Sequence, residues 1–185
     1  ETTGLPKKWN APLSDLENWP RCVQLAWQLH NEKGECISQQ SYIINPDGYT
    51  IPFDAERIHG ISTELAIKEG ENLSNVLSEF QKLLSKTQYL CGHNVTFDLK
   101  ILGAEFLRLN QVNPLERIDI IDTCSENTAL ICKLPGGKGG RFKLPTLTEL
   151  YLNIFKENFQ EAHNASADVE ATARCLLELI RTDKI

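Results

Sequence analysis

His163-Asn164-Ala165-Ser166-Ala167-Asp168-Val169-Glu170-Ala171-Thr172 decides how this chain is read. A histidine stands five residues ahead of an aspartate, with only small residues between them. Val169, Ala171-Thr172-Ala173, Cys175-Leu176-Leu177 and Leu179-Ile180 follow at helical spacing. The pattern predicts a final helix capped by Asn164 or Ser166. His163 then lies in the loop before it, and Asp168 in its first turn or two. A carboxylate there is favoured by the helix dipole alone. A chemical role needs partners, and Glu1 and Asp98 are the candidates.

Working outward, 185 residues with 41% hydrophobic and 24% charged content suit one α/β domain over residues 1–185. No stretch has the length needed to cross a membrane. The net charge of -6 argues against a protein that grips long duplex nucleic acid, because that binding is driven by cations meeting phosphates. It leaves open an enzyme that holds a few nucleotides through metal ions, where acidic ligands are required. Six cysteines show no C-x-x-C pair and mostly lie in apolar runs. They read as reduced thiols of a cytoplasmic protein, not as a zinc site. The chain has no methionine, and Glu1 reads as the end of a strand. A fragment, with its first strand cut before Glu1, is the expectation.

Along the chain, residues 21–30 alternate as a strand and Cys36 to Asn45 returns as its hairpin partner, with Asn31-Glu32-Lys33-Gly34 as the turn. Asp54 to Ile58 and the stretch opened by Ser62 predict two short helices. Asn72 to Lys86 predicts an amphipathic one, with Leu73, Val76, Leu77, Phe80, Leu83 and Leu84 on a stripe. Gln88 to Cys91 and Ile118 to Ile121 are short strands. Val95 to Leu109 is a helix whose apolar stripe includes Phe97, Ile101, Leu102, Phe106 and Leu109, and Thr123 to Ile131 is another. Thr146 and Glu149 form a capping box for a helix running to about Phe155.

Carboxylates therefore sit near three element ends, where α/β folds gather their sites. Two divalent ions about 3.5–4 Å apart need several carboxylates converging. Magnesium prefers such oxygen ligands, and a nearby histidine can accept a proton from the attacking water. The arrangement suits phosphoester hydrolysis.

Three motifs carry a resemblance: Glu1-Thr2-Thr3-Gly4-Leu5-Pro6, Gly92-His93-Asn94-Val95-Thr96-Phe97-Asp98, and His163-x-Ala165-x-Ala167-Asp168. In order and rough spacing they resemble the exonuclease motifs of the DnaQ-like family. These are the DEDD 3′–5′ exonucleases with a histidine, among them the proofreading epsilon subunit of the bacterial replicative polymerase. The His59-Gly60-Ile61 turn is similar too. The resemblance implies an RNase H-like fold with a mixed central sheet flanked by helices. It implies release of nucleoside 5′-monophosphates from a single-stranded 3′ end, with two Mg2+ or Mn2+ ions and possible association with a DNA polymerase.

Carried over, Glu1 and Asp168 resemble ligands of the first metal, and Asp98 acts on the second largely through water. His163 resembles the general base. The backbone of Thr2, Thr3 and Gly4 resembles the seat of the terminal nucleotide, with Leu5 as an apolar wedge. His59 and Asn94 are candidate substrate neighbours. The family motif is Asp-x-Glu, and only the Glu is in this chain; the Asp is expected two residues before Glu1. Without it, the alternative is a non-catalytic nucleic-acid-binding or polymerase-associated module on the same fold.

Other polar residues have plainer readings. His93 and Asn94 fix a turn, Asp119 and Asp122 are structural, and Glu170 points away from Asp168 to the surface. Trp19 and Trp27 are packing residues. Trp9, in the loop near Glu1, could be packing or a base platform. Lys133, Lys138, Arg141 and Lys143 line a loop that is either a solvated connection or a phosphate-contacting flap.

Overall fold

Period-two alternation becomes the first hairpin. Strand β1 (Gln24–His30) pairs antiparallel with β2 (Cys36–Ile43) through the turn at Asn31–Gly34. The molecule is a computed structural model that describes residues 1–158 and 164–185. Residues 1–3 lie antiparallel to the lead-in of β1. The Thr2–Cys22 bridge is flanked by Val23 N–H donating to the Glu1 carbonyl at 2.8 Å and Thr3 N–H donating to Arg21 at 3.0 Å.

Helices α1 (Phe53–His59) and α2 (Thr63–Glu69) follow, the second capped by Ser62. Helix α3 (Leu73–Leu84), capped by Asn72, buries Leu73, Val76, Leu77 and Phe80 as its stripe requires. Strand β3 (Tyr89–Gly92) pairs in parallel with β4 (Asp119–Asp122), and between them lies α4 (Thr96–Arg108). A short 3-10 turn at Pro114–Arg117, which no sequence pattern announced, returns the chain to β4. Helix α5 (Glu126–Cys132) begins later than the sequence suggests. Ser125 accepts from Thr128 N–H while the Thr128 hydroxyl accepts from Ser125 N–H, so Thr123–Ser125 becomes its entry turn. Helix α6 (Leu147–Phe155) has the Thr146–Glu149 capping box.

The quoted stretch becomes α7 (Ala165–Arg181). Asn164 is the cap, accepting from Ser166 N–H at 3.0 Å and Ala167 N–H at 3.4 Å. Ala171, Cys175 and Leu179, four apart, form its buried line. This helix packs on β1 and α6 and also reaches β2 and β3. The fold is α/β with both parallel and antiparallel pairing. Among the described residues the strands pair as two ribbons, and α7 lies against strands of both.

The largest core centres on Trp27, Leu77, Phe80, Ile101 and Phe106, between the hairpin, α3 and α4. A second gathers Val23, Ile51, Ala55 and Ile61, and a third joins Cys132, Leu150 and Tyr151 to α7. Among the described residues no helix is long and apolar enough to cross a membrane.

Candidate active site

Glu1 is held by backbone. Its carbonyl accepts from Val23 N–H, and its backbone nitrogen donates to the Gln24 carbonyl at 2.7 Å. The next residues turn sharply: the Thr2 hydroxyl donates to the Gly4 carbonyl at 2.7 Å. Gly4 has φ +144, a backbone conformation that a side chain would strain. Leu5 projects beyond the turn, 73% exposed.

Asp98 stands in the first turn of α4, and the helix start is built by another carboxylate. Asp122, at the end of β4, accepts from Asn94 N–H at 2.8 Å, Val95 N–H at 3.2 Å and Cys124 N–H at 2.8 Å. It therefore supplies the cap that α4 lacks from its own side chains. Asn94 turns the chain with φ +59, a left-handed conformation that asparagine tolerates. His93 braces this turn from the other side, with Nδ1 2.9 Å from the Thr123 hydroxyl and Nε2 3.0 Å from the Pro145 carbonyl. The Pro145 carbonyl can only accept, so Nε2 carries a proton. Burial holds His93 below the usual histidine range, keeping it neutral.

The Asp98 carboxyl is pushed up to about 6. Burial is the main cause, and the charges of Asp122 and Glu1 add to it. By surface area Asp98 is an exposed residue, so solvent screens this rise and only its direction is significant. The same charges reach His59 at the end of α1. Burial lowers its basicity, while Glu1 and the Thr2 backbone pull partly back. His59 Nδ1 accepts from Ile61 N–H at 3.1 Å, and the buried Nε2 meets no hydrogen-bond partner among the described residues. Gly60, at φ +76, allows that turn.

Glu1, the Thr2–Gly4 turn, Asp98 and His59 thus share one neighbourhood. Asp168 lies partly buried in the first turn of α7. His163 lies outside the described residues. Among those described, no three histidine, cysteine or acidic side chains gather closely enough to hold a metal ion. The donors of the Glu1–Asp98 pair are of the right class for a hard cation, carboxylate oxygens whose mutual repulsion a cation relieves. Within the described residues they remain short of a closed ligand set.

One residue that positions this neighbourhood escaped the sequence reading. Glu105 of α4 is fully buried. Its carboxylate accepts from Cys22 N–H at 2.8 Å and from Arg21 Nε at 3.1 Å, and it pairs with Arg108 Nη1 at 3.2 Å. The lead-in to β1, which holds Glu1, is thereby fastened to the helix that carries Asp98. The available signal was position: Glu105 falls four residues after Ile101, on the apolar side of α4. Burial holds the thiols of Cys22, Cys91 and Cys175 up at about 12, which disfavours thiolate chemistry at these three.

A family model described as an exonuclease, of the RNase T type, matches residues 1–176. This chain belongs to the RNase T exonuclease family. Membership agrees with the DnaQ-like resemblance of the three motifs. The epsilon subunit of DNA polymerase III from Rickettsia felis is 29% identical over 140 residues, covering 75% of this chain and 56% of that protein. The PolC-type DNA polymerase III of Latilactobacillus sakei is 30% identical over 182 residues, covering 97% of this chain and 11% of that protein. The chain therefore spans about half of one relative and about a tenth of the other. Among solved structures, E. coli exonuclease I in complex with a dT13 oligonucleotide superposes with a TM-score of 0.75 at 21% identity. It covers 98% of this chain and 39% of that one, and it establishes the exonuclease, RNase H-like fold.

Proposed function

We propose that this exonuclease-family chain removes nucleoside 5′-monophosphates from the 3′ end of single-stranded DNA. The observation that supports the reading is that Glu1, which adjoins the Thr2–Gly4 turn, lies near enough to Asp98 for its charge to add to the rise of that carboxyl. DNA is preferred because the relatives named above are DNA polymerase III proteins. Association with a replicative polymerase is proposed on the same ground.

In this reading Glu1, Asp98 and Asp168 would hold Mg2+ or Mn2+, two ions in all. When bound, the ions supply positive charge to the phosphoryl group as it reacts. The Thr2–Gly4 backbone and Leu5 seat the last nucleotide, with His59 and Asn94 at its edge. His163 accepts the proton of the attacking water. The water oxygen bonds to phosphorus, the bond from phosphorus to the preceding 3′ oxygen breaks, and that oxygen takes a proton from solvent water to become the new 3′ hydroxyl.

The test is a 3′-labelled single strand incubated with the protein and magnesium. Labelled mononucleotide is the expected product. His163→Ala should slow its release about 10²- to 10⁴-fold, the range a general base contributes, with strand binding nearly intact. Undiminished release would remove His163 from this role. Strand retention without any product would instead favour a binding module on the same fold.

A further inference from the structure

Trp9 is 57% exposed, whereas Trp19 and Trp27 are 3% and 6% exposed. An indole left in water needs an account, and its setting supplies one. Its ring meets that of Phe97 at 5.8 Å between centroids, tilted by 51°. Phe97 immediately precedes Asp98. The platform is thus anchored one residue from the candidate catalytic carboxylate.

The backbone beneath the indole is fixed. Buried Asn18 accepts from Lys8 N–H at 2.7 Å and donates to the Lys8 carbonyl at 2.9 Å, while its own carbonyl accepts from Lys7 N–H at 3.2 Å. The loop therefore presents Trp9 in a set direction, and little further ordering is needed on binding. Lys7 and Lys8 are exposed beside it, and among the described residues neither has an ion-pair partner. Of the three residues, Lys7 reaches a depression that Thr3 and Leu5 also line, together with Glu17 and Arg21.

We propose that Lys7-Lys8-Trp9 is a second nucleotide subsite, in which the indole stacks on a base of the incoming single strand and the two ammonium groups meet the adjoining phosphates. It rests on the nucleic-acid reading above and extends that reading beyond the terminal nucleotide. Stacking is tolerant of sequence because every base offers a ring face. Paired with phosphate contacts, it suits a strand that must advance one nucleotide at a time.

The test is a fluorescence titration of the full chain with oligothymidylates of one to six nucleotides in EDTA, where no cleavage interferes. Trp9 is the water-exposed indole, so stacking should quench the red-shifted emission. Trp9→Ala should abolish that quench and weaken the longer strands roughly 5- to 150-fold, the range that loss of one stacked base implies. It should also flatten the gain in affinity with strand length. Trp9→Phe should keep most of that gain. A thermal melt on each variant separates lost folding from lost stacking. Equal affinity and length dependence in Trp9→Ala would overturn the subsite, as would an unquenched wild type. Binding without cleavage in a parallel magnesium assay would sink the exonuclease reading and leave the subsite standing.

Discussion

Glu105 places a carboxylate where water does not reach, and hydrogen bonds from Cys22 N–H and Arg21, with an ion pair to Arg108, offset the loss of hydration. Each of those partners depends on it in return. Arg108 also gives hydrogen bonds to the Leu16 and Trp19 carbonyls at 2.6 and 2.7 Å, so the loop from residue 6 to residue 20 hangs on the same cluster. Glu105→Ala should cost about 3–5 kcal/mol, the usual effect of removing one member of a buried ion pair. Urea unfolding of both proteins measures it, and an unchanged midpoint would mean the cluster adds nothing. Glu105→Gln should cost less, because an amide oxygen can still accept from Cys22. By contrast, Arg141–Glu126 joins two exposed side chains, and its loss should be hard to detect.

At the level of elements, α7 begins on one side chain. Asn164 accepts from two N–H groups that the helix geometry leaves unpaired. Asn164→Ala should destabilise the protein by about 1 kcal/mol, and Asn164→Asp should retain the cap. Thermal melts decide this; equal melting of the Ala and Asp variants would show that the cap is idle. The cap was legible because its chemistry is local, and so was the Thr146–Glu149 box. The Ser125–Thr128 box was not, because threonine at the third position lacks the Glu or Gln that marks the pattern. The β1–β2 hairpin could be read from alternation and a turn. The parallel pairing of Tyr89–Gly92 with Asp119–Asp122 could not, since nothing local links strands with a whole helix between them. At the site, the motifs pointed to Glu1 and Asp98. Asp122 was read as structural, which its three backbone hydrogen bonds bear out, but not as the cap of α4, and Glu105 was not read at all; both roles depend on which backbone and guanidinium groups the fold brings within reach.

For the whole molecule, a net charge of -6 must be reconciled with a polyanionic substrate. Read alone, the loop of residues 133–143 has four cations and could be a phosphate-gripping flap. In the fold, Arg141 pairs with Glu126 of α5 at 3.0 Å and Lys143 with Glu149 of α6 at 2.6 Å. The Lys143 pairing contributes to holding the Glu149 carboxyl below its usual range. Two of the four cations therefore already have carboxylate partners, of which the exposed Arg141–Glu126 pair is the weaker. Lys7 and Lys8 are exposed cations in the loop that follows the Thr2–Gly4 turn. Each phosphate met by a cation on single-stranded DNA contributes about -0.7 to the slope of log affinity against log salt. Two contacts give a slope of about -1.4. Engagement of all four loop cations as well would bring it to about -4. Oligothymidylate binding measured from 50 to 200 mM salt, in EDTA throughout, should give the shallow value. Lys7→Gln with Lys8→Gln should reduce it towards zero, while Lys138→Gln should leave it in place. A steep slope that survives loss of Lys7 and Lys8 would return the electrostatic role to the 133–143 loop, with its ion pairs exchanged for phosphates.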